Sequence, residues 1–450
     1  MVLSFTANIA LIMVLGGARV SGEIVIVEDT TGQPHDATVN FGSVDLALCS
    51  FAARELYSVM RDDYDMVVSF TTHPMSGPQY AFMGRSPSGN LVRQTAQGVS
   101  YGGWLIRKQP SEFGSAAKLK HCVYMGPSSA LPANPDGSYD VIAGPLGGTR
   151  PSGVTGIEVL GHEVGHHWLV FGAHDANDGR GLRALFRLDD RDPEQADRPY
   201  PAAAGVHYSH YADSHSVMYG NFITPLGGGM FKLAGGDRKY GPFDQYFMGL
   251  RAPHETPPLL AIDDGSQRGL SGDPLQKGQT QTVSGTGVQI PVDDVIRALG
   301  PRIPAYPNTQ RCFRMAFVLI THPGHTATAQ EIALVDAYRR RWEQWFPWAT
   351  DGRGSTDTRL APENPCPMTP VDVEPPGEGA VSGAPLPPPA VEVAASEPLP
   401  VEPQPEPMKP TVPEDPIYRL RNAGCGCGAA DGLALAALAV LLLLRRSRPA

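Results

Sequence analysis

A His-Glu-x-x-His segment constrains this chain more than any other feature of its sequence. The segment reads His162-Glu163-Val164-Gly165-His166. In an α-helix, residues four apart lie on the same face one turn from each other, so both imidazoles can approach one metal ion. Glu163 would then lie beside the ion, where it can take a proton from water as a general base. The segment therefore predicts a Zn²⁺ site with His162 and His166 as two of its ligands.

The neighbouring residues favour the helix that this site requires. Thr155 and Glu158 form a T-x-x-E capping box, which marks a helix start, and Gly172 is the predicted stop signal. Between them, apolar residues recur at three- and four-residue spacing and predict a buried stripe. These residues are Ile157, Leu160, Val164 and Trp168. Gly161 and Gly165, one turn apart, would let another backbone or a substrate come close to the helix.

Charge is distributed unevenly along the 450 residues. Residues 367–416 contain sixteen prolines and nine Asp or Glu against one Lys, so they account for most of the net charge of −10. Such a segment cannot bury a core, and we expect a disordered, extended spacer. The rest of the chain is close to neutral and has no basic stripe, which argues against nucleic acid as a partner.

The two ends of the chain are predicted to carry export signals. Residues 9–15 are apolar and Val20-Ser21-Gly22 offers small residues for cleavage, so residues 1–22 are predicted to be a signal peptide. Near the other end, Cys425 and Cys427 lie between glycines, before an apolar run over residues 433–444 and then Arg445-Arg446. The arginines would keep the extreme C-terminus in the cytoplasm, with everything before the run outside.

This tail resembles the myxobacterial C-terminal sorting signal known as MYXO-CTERM. The resemblance covers residues 419–450 and rests on the Gly-Cys motif, the hydrophobic helix and the Arg-rich end. It implies that a sorting protease acts near Cys425 and Cys427. It also implies display at the cell surface, with the C-terminal helix as a membrane anchor before processing. The alternative is a plain C-terminal anchor.

The body between the two signals, residues 23–366, is predicted to be one folded domain. Strands are expected at residues 23–28, 65–72, 90–107 and 140–143, and a helix at 43–60. Residues 175–250 are interpreted as active-site loops. A buried strand at residues 314–320 and an amphipathic helix at 327–345 follow, with Arg339 to Arg341 mostly facing water. This order suits an α+β fold with a mixed sheet and an active-site helix.

Four cysteines belong to this body. They are Cys49, Cys122, Cys312 and Cys366. An even number in an exported domain suggests up to two disulfides, with three possible pairings.

The third metal ligand is not fixed by the His-Glu-x-x-His segment. Candidates are His174, His207, His210 and His215. His167 points about 100° away from His166 on a helix and is not expected to ligate. A catalytic zinc site needs three protein ligands and one open position, so one of the candidates is sufficient.

Residues 216–220, Ser-Val-Met-Tyr-Gly, resemble the Met-turn of metzincin metalloproteases, where a Met lies under the zinc histidines. The chain departs from the metzincin pattern at Leu169 and Gly172, so that pattern does not supply the third ligand. Residues 162–250 look closer to a group of secreted myxobacterial metalloprotease-like proteins. The shared segments are His162 to Trp168, Gly205 to Tyr208, Ser216 to Met218, Gly227 to Gly229 and Phe243 to Leu250. That resemblance implies His207 as third ligand. Asp244 is the runner-up, because an acidic ligand from a later helix is the gluzincin type of zinc site.

Together these features predict a secreted, surface-anchored zinc metalloendopeptidase of metzincin-like fold. Zn²⁺ is the expected cofactor, a protein or peptide the expected substrate, Glu163 the catalytic base, and His162, His166 and His207 the metal ligands. The alternative is a catalytically inactive, metal-stabilised surface adhesion or binding module. Four protein ligands closing the site would favour that alternative.

Overall fold

The structure is a computed structural model of the full chain. It describes residues 17–30, 44–72, 113–116, 118–142, 149–170, 172–179, 181–187, 207–263, 275–362 and 366. The chain divides into two units, residues 1–372 with 424–450 and residues 373–423. The predicted spacer, the sorting tail and the expected strands at 90–107 lie outside the described residues. Within the described residues, no helix has the length and apolar character needed to cross a membrane.

Five helices are described. They are α1 (Val44–Val59), α2 (Gly156–Gly165), α3 (Pro242–Met248), α4 (Val292–Leu299) and α5 (Ala329–Ala349). The strands are β1 (Ala18–Ser21), β2 (Ile24–Glu28), β3 (Met66–Thr71), β4 (His121–Pro127), β5 (Ser138–Ile142), β6 (Thr149–Thr155), β7 (Ala173–His174), β8 (Arg183–Ala184), β9 (Phe186–Arg187), β10 (His207–Tyr208), β11 (Phe222–Gly227), β12 (Met230–Ala234), β13 (Leu259–Asp263), β14 (Thr280–Ser284), β15 (Thr286–Ile290), β16 (Cys312–Thr321) and β17 (Ser355–Asp357).

A six-stranded mixed sheet organises the domain, as the sequence predicted. Its order is β1-β2-β16-β3-β4, with β17 also paired to β16. The β1–β2 pair is antiparallel and the remaining pairs are parallel. The expected strand at residues 314–320 is the central strand β16, which is buried from its second residue to its last. The fold is therefore mixed α/β around a mixed sheet.

The side chains of β16 point alternately to the two faces of the sheet and pack into a core on each side. Successive side chains of a strand point to opposite sides, so one strand can contribute to two clusters. Phe317 and Leu319 join a cluster that includes Leu160 of α2 and Trp342 of α5. Val318 and Ile320 join another with Leu56 of α1. Helices therefore cover both faces, which is the arrangement expected for a buried, mostly parallel sheet.

The first strand falls within the predicted signal peptide. Residues 18–21 form β1, which pairs with β2 along its whole length. β1 is at the end of the strand order, so cleavage after Gly22 would remove an edge strand and leave the parallel strands in place.

The helix α2, which carries His162, begins as predicted and ends earlier than predicted. Thr155 accepts from the amide of Glu158, whose carboxylate accepts from the amide of Thr155 in return. The helix ends at Gly165 rather than at Gly172. The reason is local: the amide of His167 donates to Val164, three residues back, and the chain leaves the α-helical path there.

Two further expectations needed correction. Arg339 does not face water: it is 8 % exposed, because its guanidinium donates to Asp336 and to the Thr358 hydroxyl. Residues 207–250 are not simply loops. They contain the hairpin β11–β12 and the helix α3, separated by short turns.

The cysteine prediction is resolved in part. Cys312 and Cys366 form a disulfide, which joins the first residue of β16 to the last described residue of the chain. Cys122 is buried on β4. Cys49 lies in α1, but its side chain is outside the described part of the structure.

Candidate metal centre

Three histidines converge on one point beside α2. The Nε2 atom of His162 lies 3.1 Å from Nε2 of His166 and 3.1 Å from Nε2 of His207. Tetrahedral zinc with Zn–N bonds of about 2.0–2.1 Å holds neighbouring ligand nitrogens about 3.3 Å apart. The spacing therefore fits a common metal ion. Within the described residues, this group has three members, and a group of this size can hold a metal ion.

The chain brings the three rings together from two elements. His162 and His166 are on one face of the helix and its cap, one turn apart. His207 begins β10, a two-residue strand that pairs with β9. Both of the helix histidines are buried, and His207 is partly exposed. The site therefore has a closed side formed by the helix and an accessible side at β10.

A backbone contact sets the tautomer of His162. Its Nδ1–H donates to the carbonyl oxygen of Val217 over 2.7 Å. A neutral imidazole carries one N–H, so Nε2 is left with a lone pair facing His166 and His207. A metal-ligating histidine that donates its other ring nitrogen to a carbonyl is the usual arrangement in metal sites.

Residues 216–220, which resemble a Met-turn, connect the two elements that supply the histidines. Val217 accepts from His162 of α2, and the carbonyl of Met218 accepts from the amide of Tyr208 in β10. Met218 is fully buried, and a Cβ placed on Gly165 would lie 2.6 Å from its sulfur. The methionine therefore packs directly against the last turn of α2, below the histidines.

Side chains from other elements, and not a backbone or a substrate, come close to α2 at Gly161 and Gly165. Met218 fills the space at Gly165, and a Cβ on Gly161 would lie 2.2 Å from the Trp345 ring of α5. The Tyr240 hydroxyl also donates to the Gly161 carbonyl over 2.6 Å. The two glycines let the core reach the helix backbone, rather than a substrate.

Burial controls the charge of the site. Desolvation lowers the pKa of His162 to about 4, against an opposing contribution from the Val217 carbonyl. The pKa of His166 is lowered well below its usual value, first by desolvation and then by the neighbouring His162 and His207. Both rings are therefore neutral near pH 7, which is the form that binds a metal ion.

Glu163 follows the first ligand along α2. Its side chain is fully buried, between the positions of His162 and His166 in the helix. This placement keeps a carboxyl group in the same helical turn as two metal-binding imidazoles.

The other candidate ligands lie elsewhere in the described structure. None of them belongs to the group of three. His174 is on β7, paired with β8, and His210 faces the Tyr219 ring at 6.1 Å. The ring of His215 is hydrogen-bonded to the Asp213 carboxylate and stacks on the Phe222 ring. His167 packs against His121, away from the cluster, as its helical position predicted.

Asp244 was the second candidate for the third metal ligand, but its contacts give it a different role. Its carboxylate accepts from the Tyr208 hydroxyl and from the amide of Gly241, both over 2.9 Å. Burial raises its pKa to about 7, opposed by hydrogen bonds from Ser216, Tyr208 and Gly241. Asp244 therefore ties the start of α3 to the strand that carries His207, and does not join the metal group.

Two residues near the site were not identified from the sequence. Tyr219 packs its ring 4.3 Å from His207 and 4.9 Å from His162, with φ of 71° in the left-handed region. Its position directly after Met218 was the only available signal. His121 contacts the backbone of α2 from β4, 42 residues earlier in the chain, and nothing local in the sequence marks it.

A small opening adjoins His162. It is lined by Val154, Glu158, Val159, His162, Val217, Tyr219 and Arg238. Its walls come from β6, from the first turns of α2 and from the turn that holds Met218.

Comparisons with protein-family models, with curated proteins and with solved structures found no match to this chain.

Proposed function

We propose that this protein is a zinc-dependent endopeptidase whose metal ligands are His162, His166 and His207. The convergence of their Nε2 atoms beside the buried Glu163 is the observation that supports the proposal most directly. The donor set suits zinc, because three neutral imidazoles with one open position are a common catalytic zinc arrangement. When bound there, zinc supplies Lewis-acid chemistry that polarises a carbonyl and acidifies water.

The residues of the chain supply the remaining chemistry. Glu163 takes a proton from the attacking water and returns it to the leaving amine. Val217 orients the ring of His162 through its carbonyl, and Met218 supports the turn below the cluster.

We further propose that the enzyme is exported and displayed at the cell surface. The Cys312–Cys366 disulfide is consistent with an oxidising compartment. The signal-like segment at residues 1–22 and the MYXO-CTERM-like tail support the same location. Alanine at both Cys425 and Cys427 should block processing, leaving full-length protein in the membrane fraction.

Metal analysis combined with digestion of a broad peptide library tests the proposed activity. The full chain should bind one zinc per molecule and cleave internal peptide bonds. A chelator should abolish cleavage, and added zinc should restore it. One bound zinc without any cleavage would refute the endopeptidase and favour a metal-stabilised binding module. No bound zinc would refute the metal assignment itself.

A further inference from the structure

His121 connects the central sheet to the backbone of Glu163. It is the first residue of β4, which pairs with β3 in the sheet. Its side chain is fully buried, and its Nε2 atom lies 3.0 Å from the carbonyl oxygen of Glu163. A carbonyl can only accept, so Nε2 carries the proton and donates. This is a direct contact between the sheet and the residue proposed as general base.

The end of α2 explains why this contact is available. In a continuing α-helix, the amide of His167 would donate to the Glu163 carbonyl. Here that amide donates to Val164 over 3.1 Å instead, because the helix tightens at its last turn. His121 supplies a donor to the carbonyl at the place where the regular helical pattern changes.

The chemistry of His121 suits a fixed donor. Desolvation lowers its pKa to about 4, opposed by the Glu163 carbonyl, so the ring is neutral near pH 7. A neutral ring donates from one nitrogen, and the geometry requires that nitrogen to be Nε2. Because β4 is held by its strand pairing, the donor cannot follow a displacement of the helix without losing the bond.

We propose that His121 is a positioning residue that fixes the last turn of α2, and with it the Glu163 carboxyl group, relative to the three metal-binding histidines. This inference rests on the proposed function for its catalytic consequence. Its structural part, restraint of the last turn of the helix, is independent of any activity.

A matched pair of substitutions isolates the hydrogen bond. Glutamine places an amide nitrogen the same number of bonds from the backbone as Nε2 of histidine, whereas methionine has a similar length and no donor. We expect His121→Met in the zinc-loaded full chain to lower kcat on the order of tenfold, because small displacements of catalytic groups are costly. KM should stay within about twofold, the zinc content should remain one per chain, and His121→Gln should recover most of kcat.

Ser69→Ala is the control for a general loss of stability. The Ser69 hydroxyl donates to the Val123 carbonyl between the same two strands, in a buried position. It should lower Tm without changing kcat. If His121→Met fails to fold, His121→Asn replaces it, since its donor is one bond too short to reach the carbonyl.

Hydrogen–deuterium exchange of the zinc-loaded protein gives a readout that does not need turnover. His121→Met should speed exchange in the peptide covering residues 156–170, and His121→Gln should not. Equal kcat and equal exchange in the Met and Gln variants would overturn the inference. Loss of zinc in the Met variant alone would overturn it too, by placing His121 in support of the metal site. An inactive, zinc-loaded wild type would refute the proposed function, while the exchange comparison would still decide the role of His121.

Discussion

The Nδ1 atom of His162 donates to the carbonyl oxygen of Val217 over 2.7 Å, and this bond joins the helix to the turn that supports the cluster. The next residue along, Met218, accepts from the amide of Tyr208, next to His207. Two successive backbone carbonyls therefore align ligands that are 45 residues apart in sequence. The site is preorganised by main-chain groups of residues 217 and 218.

The metal assignment predicts a clear difference between two histidines. His207→Ala should reduce zinc affinity by at least tenfold, as His162→Ala and His166→Ala should, because each removes a donor nitrogen. His174→Ala should leave affinity unchanged, since His174 is not in the group. Competition titration with a zinc chelator measures the zinc affinity of each variant. Retention of zinc by the His207 variant, with loss from the His174 variant, would require a different third ligand.

Glu163→Gln should separate binding from catalysis. Glutamine keeps the size of the side chain but cannot accept a proton, so we expect a loss of peptidase activity of at least a hundredfold. Zinc stoichiometry should remain one, because Glu163 is not a member of the ligand group. Elemental analysis and a peptide cleavage assay on the same sample measure the two quantities. A zinc-loaded variant with wild-type activity would refute the assignment of the base.

Acid should destabilise the zinc-free protein in a defined range. The pKa of both His121 and His162 is about 4 when folded, compared with 6.5 for the ordinary side chain. As pH falls from 6.5 towards 4, the unfolded chain binds protons that the folded protein does not, so stability falls. Each histidine contributes about 3 kcal/mol over that range. Urea unfolding at several pH values measures this, and His121→Met should show a shallower dependence. If the stability of that variant depended on pH as strongly as that of the wild type, the lowered pKa of His121 would be contradicted.

Gly161→Ala should destabilise the protein although alanine favours helices. Helix propensity alone would stabilise by about 1 kcal/mol. A Cβ at this position would lie 2.2 Å from the buried Trp345 ring, and overpacking of a core typically costs about 1–3 kcal/mol. Thermal unfolding should show a lower Tm. Trp345→Phe should partly relieve the clash, so the double variant should be more stable than the sum of the two single effects predicts. Strict additivity would argue against the contact.

The sequence predicted the elements that depend on local patterns. The capping box at Thr155 and Glu158 fixed the start of α2, because both of its hydrogen bonds are made within four residues. The central strand was predictable because an apolar run of that length must be buried. The four-residue spacing of His162 and His166 predicted that both lie on one helical face, because helical geometry alone determines which residues share a face.

The features that the sequence did not predict depend on contacts between distant parts of the chain. The convergence of His207 with the other two histidines depends on the turn around Met218, so the residues alone left several candidates open. Asp244 was held as a possible ligand because carboxylates bind metals. Its partners, Tyr208 and Gly241, are visible only once α3 is placed beside β10. The early end of α2 likewise depends on hydrogen bonds that no sequence pattern signals.

The disulfide between Cys312 and Cys366 determines where a mechanical load would enter the domain. Cys366 immediately precedes the proline-rich segment, and Cys312 opens the central strand β16, which is paired to β2 and β3 on its two sides. If the protein is tethered through that segment, tension does not peel away the end of the chain. It passes through the disulfide to the first residue of β16, which is paired to β17 there and to β3 and β2 further along. A protein tethered in this way would therefore carry tension into its central strand rather than into the free end of its chain.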